Sequence, residues 1–63
     1  MLVIVLNEIP KGRFYGGITN DFRVISCDCL MDCVHFNDYD SAVYVLIQLG
    51  KLGFSCCITE VAN

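Results

Sequence analysis

The chain has 63 residues, 56% hydrophobic and only 17% charged, with a formal net charge of −3. A length this small holds one domain, 1–63, that buries only about 60% of what its unfolded chain exposes, so stability is marginal without disulfides, a metal or a partner. The acidic balance argues against nucleic acid as the main partner, and the uncharged run 41–50 is too short for the roughly 20 residues that cross a bilayer.

Leu2, Val3, Ile4, Val5 and Leu6 form a continuous apolar run without alternation, which predicts a central strand buried on both faces. The run lacks the basic flank and the length of a secretory leader, so a cytosolic protein acting where it is made is expected. Pro10 and Gly12 punctuate a turn over 8–12, and 13–18 reads as a second strand pairing back on the first. Gly16 and Gly17 within that strand predict a bulge or a close backbone approach. A phosphate-cradling loop would need further glycines, a Lys-Ser/Thr pair and a following helix, none of which is there. Thr19, Asn20 and Asp21 form a polar turn, and 22–28 reads as a third strand. Ile25, Cys27 and Cys29 then lie on one side of it, and Val24, Ser26 and Asp28 on the other. A brief extended piece, 33–36, delivers the chain to a helix.

That helix, 38–52, is the one segment with sustained helical periodicity. Tyr39, Ala42, Val43, Leu46, Ile47 and Gly50 recur at i, i+3, i+4, i+7, i+8 and i+11, and are expected to face the sheet. Asn37 or Asp38 supplies the N-cap, Lys51 sits in the last turn, and Gly53 is placed to close the helix with a left-handed residue. A final strand, 54–61, follows. The expected fold is α+β: a ββ(β)αβ domain whose three- to four-stranded, mostly antiparallel sheet carries one helix on one face.

Five cysteines, an odd number, do not suggest a disulfide framework. Cys56 and Cys57 are neighbours on a strand, so their side chains should point to opposite faces. Cys27, Cys29, Cys33 and His35 together match the ligand set of a structural zinc site. Their Cys-x-Cys spacing differs from the Cys-x2-Cys turns that wrap zinc, and buried free thiols beside a surface histidine are the expected reading. No cofactor is expected. Cys33 and His35 as a nucleophile and base would stand ~6–7 Å apart on a strand, too far for a direct hydrogen bond, with no third orienting group, so an enzyme is not expected.

Asp28, Asp32, Asp38 and Asp40 lack the loop pattern of a calcium site and read as a solvated acidic face that meets a foreign protein partner. Of the aromatic residues, Phe36, Tyr39 and Phe54 are expected in the core. Tyr44, Val45, Gln48, Leu49 and Leu52 lie off the first helical face and are mostly apolar. They are expected to form a second face on which the chain self-associates as a homodimer.

The succession Gly12-Arg13-Phe14-Tyr15-Gly16-Gly17, then Thr19-Asn20-Asp21-Phe22, then the 35–42 segment running from His35 to Ala42, then Ile58-Thr59-Glu60-Val61 resembles short bacteriophage-encoded orphan proteins. Those carry an aromatic hairpin, an aromatic before a single helix and a closing strand. The third strand here departs from that pattern in its length and its cysteines. The resemblance implies an inhibitor of a host or anti-phage-defence protein, acting in the host cytoplasm.

Overall fold

The computed structural model describes residues 1–7 and 14–61. Four strands and one helix follow one another as β1 (Leu2–Leu6), β2 (Phe14–Ile18), β3 (Val24–Cys27), α1 (Tyr39–Lys51) and β4 (Cys56–Glu60). The strands form one sheet in the order β3-β2-β1-β4, and every neighbouring pair is antiparallel. This is the small α+β domain expected from the sequence. The expected turn over 8–12 and Arg13 lie outside the described residues.

The apolar run of β1 does become a central strand. Val3 and Ile4, on opposite faces, are completely buried, and Leu6 nearly so. Its ladder with β4 is continuous over five pairs, from Leu2 opposite Glu60 to Leu6 opposite Cys56. Beyond the strand ends it runs on through Val61 N–H to Met1 O (2.9 Å) and Asn7 N–H to Ser55 O (2.9 Å). On its other side β1 meets β2 squarely at Val5 opposite Phe14. Near the start of β1, the segment 33–36 takes over that pairing. Leu2 and Phe36 exchange two hydrogen bonds, 2.9 and 2.8 Å, and Val34 N–H donates to Tyr15 O at 3.0 Å. The extended piece before the helix thus ties β1 to β2, and the Phe36 ring stacks on Tyr15 with centroids 6.4 Å apart.

Gly16 is the extra residue of a bulge in β2: Tyr15 pairs with Ser26 and Gly17 pairs with Ile25. Both expectations for the glycine pair hold. A Cβ on Gly16 would stand 2.6 Å from Cys27 Sγ, and Gly17 has φ +128, open to glycine at no cost. The β2–β3 turn places Phe22 at φ 62. It is closed by Phe22 N–H to Thr19 O (3.0 Å) and Thr19 N–H to Arg23 O (2.9 Å). Turns of this kind ordinarily put glycine at that left-handed position. β3 consequently begins at Val24 rather than at 22 as expected, because the chain is still turning at Phe22.

Asp38 is the N-cap of α1, with its carboxylate accepting from Ser41 N–H (3.2 Å) and Ser41 Oγ (2.8 Å). At the other end Gly53, at φ +93, reverses the chain as expected. Gly53 N–H bonds Gly50 O and Phe54 N–H bonds Leu49 O, both at 3.0 Å, which satisfies two helix-end carbonyls.

The phase of the helix differs from expectation. Its inward residues are Ala42, Val45, Leu46 and Leu49, with Ala42 and Leu49 completely buried. Tyr39 and Ile47, expected against the sheet, are 63% and 53% exposed. At about 100° per residue, the buried stripe is turned by roughly 80° from the expected one. The closing turn agrees with this phase: Leu49 and Phe54 stand at the two positions whose side chains commonly meet in such a turn, and both pack in or against the core. The core is Ile4, Leu6, Tyr15, Phe36, Ala42 and Leu49, with Ile58, Cys56 and Phe54 packed against it.

Candidate functional site

The expected self-association face is divided by this phase. Leu49 is fully buried and so is not available to a second molecule, contrary to expectation, whereas Val45 is half-buried with part of its side chain against the core. Tyr44 (66% exposed) and Leu52 (44% exposed) do face outward, and Gln48 is half-buried beside them. With the exposed Tyr39 and Ile47, they set large apolar groups among the exposed Asp40, Ser41 and Lys51 on the solvent side of α1. Sequence periodicity missed Tyr39 and Ile47 as surface residues because Tyr, Ile, Val and Leu occur nearly all round this helix. The spacing of Leu49, Gly53 and Phe54 was a local signal that pointed toward the observed phase without deciding it.

Asp28 and Asp32 are exposed in the turn that follows β3, and Asp38 and Asp40 are exposed at the start of α1. Asp38 is committed to its cap, whereas Asp40 faces the positive end of the helix dipole. Arg23 pairs with Asp21 at 3.3 Å, a solvent-exposed contact of little energetic weight. Thr19 Oγ1 donates to the same carboxylate and accepts from Arg23 N–H, so the turn is knitted by its own side chains.

The cysteines occupy unlike surroundings. Cys33 is buried and its thiol donates to Leu30 O at 3.2 Å, while Cys27 Sγ reaches Asp32 O at 3.6 Å. Burial, followed by the proximity of Cys27, pushes the Cys33 thiol up from its ordinary value. Cys29 and His35 are exposed. Among the described residues, no group of three or more His, Cys, Asp or Glu is arranged to hold a metal ion. The structure therefore does not gather Cys27, Cys29, Cys33 and His35 into a ligand set. All five cysteines are free thiols. Cys56 is half-buried on the core side of β4 and Cys57 is exposed on the other, as their adjacency requires.

Further apolar groups stand in the turns. Phe22 is 73% exposed at the tip of the β2–β3 hairpin and Met31 is 88% exposed in the turn after β3. Among the described residues, nine large hydrophobic side chains are exposed against eight hydrophobic residues that are buried. No described helix is long and apolar enough to cross a membrane. No protein-family model, curated protein or solved structure is detectably similar to the chain.

Proposed function

We propose that this protein is a non-enzymatic protein–protein interaction module that self-associates and acts by binding another protein. The observation that carries the reading is the solvent side of α1, where Tyr39, Tyr44 and Ile47 are each more than half exposed on an element whose opposite side already fills the core. Large aromatic and branched side chains clustered on one rigid element are the anchors that protein interfaces use. The exposed carboxylates of Asp28, Asp32 and Asp40 steer the encounter. Asp38 contributes less, because its oxygens are held by Ser41. The likeness to phage-encoded orphan proteins adds the class of partner, a host or defence factor that the module inhibits.

Affinity capture with the wild type and with a Tyr44→Glu, Ile47→Glu variant tests the reading, provided the captured protein is then purified and its binding measured directly. Introduced charges should abolish a complex that the wild type forms. Asp28→Lys with Asp32→Lys should slow its association, and added salt should slow the wild type too. Equal binding by the wild type and the double glutamate variant removes the helix as the docking element.

A further inference from the structure

We infer that the second copy docks along the free edge of β4, extending the sheet across a twofold axis that passes through Ile58. The inference rests on the self-association proposed above and names the surface that performs it. β4 closes one end of the sheet order, and no described strand pairs with its outer side. The bonds of Ser55 and Val61 to β1 fix which backbone groups point inward. In an antiparallel ladder that direction alternates, so Cys56, Ile58 and Glu60 turn their N–H and C=O groups outward.

These three residues are evenly spaced about Ile58. A twofold axis there sets Ile58 against its copy and Cys56 against Glu60, and every outward group finds a partner. Moving the axis to Cys57 or Thr59 leaves one residue of each strand unpaired. The Ile58 register also keeps the strand's single charge, Glu60, away from its twin. Apart from the charge of Glu60, β4 has none of the devices that blunt an edge: no proline, no lysine and no bulge. The opposite edge is a poorer candidate, since β3 has four residues and emerges from a turn carrying Asp21 and Arg23.

The position of the helix argues that the occupant is a second copy rather than a foreign strand. α1 packs chiefly on β4 and β1. With strands about 4.8 Å apart, a helix lying over the midline of β1 and β4 stands about 4.8 Å from the proposed axis. Its symmetry mate then lies about 9.6 Å away, within the 8–10 Å at which helices pack. Edge pairing thus brings two helices together without further adjustment, and both flanks of α1 offer apolar side chains, Tyr39 and Ile47 on one and Leu52 on the other. A lone foreign strand would leave that helix flank uncovered.

Glu60→Pro separates the possibilities, because it deletes an outward N–H on an exposed residue and spares the bonds to β1. Light scattering at micromolar concentration should give a dimeric wild type and a variant that stays folded by circular dichroism, with dimer dissociation raised roughly tenfold or more. Thr59→Cys supplies an independent check. The register places residue 59 opposite Cys57 of the partner subunit as a non-hydrogen-bonded pair, about 4.5 Å between Cα atoms, which suits a disulfide. With a low-molecular-weight disulfide as oxidant, this variant should form a covalent dimer that the wild type does not. A dimeric wild type whose Glu60→Pro variant dimerises equally well, with no crosslink through Thr59→Cys, overturns the edge and leaves self-association standing. A monomeric wild type overturns both.

Discussion

The two halves of the sheet are joined to the rest of the molecule by different means. β1 and β4 share an unbroken ladder of five pairs with α1 packed over them. β2 and β3 form a hairpin attached to β1 at Val5 opposite Phe14, by the bonds of 33–36, and by the stack of Phe36 on Tyr15. The first half is held by regular pairing between distant parts of the chain. The second is held by a short pairing and one inserted segment, and among the described strands it carries the irregular backbone: the bulge at Gly16 and, in its turn, the left-handed Phe22. Regular pairing distributes stability over many bonds, whereas the inserted segment concentrates it in a few side chains. Cooperative units that open separately arise from such contrasts.

The strongest way to break this comparison is Phe36→Ala, which removes the ring joining the hairpin to the core and should cost about 3–5 kcal/mol. Amide exchange should show the hairpin amides, Val24–Cys27 included, losing protection before those of β4. Leu49→Ala, at about 2–5 kcal/mol, should instead lower protection in both halves together, since Leu49 lies at the centre of the core. Uniform loss of protection in the Phe36 variant would show that the halves act as one unit.

A smaller effect is expected at the bulge. Gly16→Ala forces a Cβ against Cys27 Sγ and Ile25 Cγ2, the latter at 3.2 Å, and should destabilise by about 1–3 kcal/mol. Adding Cys27→Ala should recover part of that loss. Denaturant titrations of the two single variants and the double variant give the coupling, and strict additivity would mean that the thiol is not what Gly16 makes room for.

Phe22→Gly sharpens the same contrast in the opposite direction. It relieves about 1–2 kcal/mol of left-handed strain and returns part of it as unfolded-chain entropy, for a net gain of about 0.5–1 kcal/mol. A melt that shows loss instead would mean that the exposed ring contributes packing to the fold.

The smallest effect is the response to alkali. Burial raises Cys33 and Cys56 above their ordinary 9.0, and Tyr15 above 10.0. In each the neutral form is the one that folding favours. Their contribution is therefore complete below the ordinary values and is lost as pH rises through the raised ones. Stability should be level from pH 7 to 8 and decline above about pH 9. Cys33→Ala should flatten that decline, and an unchanged slope would assign it to the other two groups.

The chain's local chemistry was legible without its structure. β1 was marked by unbroken apolar residues, the bulge by Gly16-Gly17, and the limits of α1 by Asp38 and Gly53, because backbone conformation and capping depend on residues close in sequence. Which side of α1 faces the sheet was less plain, since apolar residues nearly encircle it. Only contact with β1, β4 and Phe54 selected Leu49 over Ile47. The order β3-β2-β1-β4 and the insertion of 33–36 beside β1 also belong to the tertiary structure. Both pair residues far apart in the chain, and no local pattern records a partner that distant. The acidic and thiol residues follow the same division. Their identities suggested a patch and a ligand set, but the surroundings that make Cys33 buried and His35 exposed arise only when 33–36 is bonded to β1 and β2.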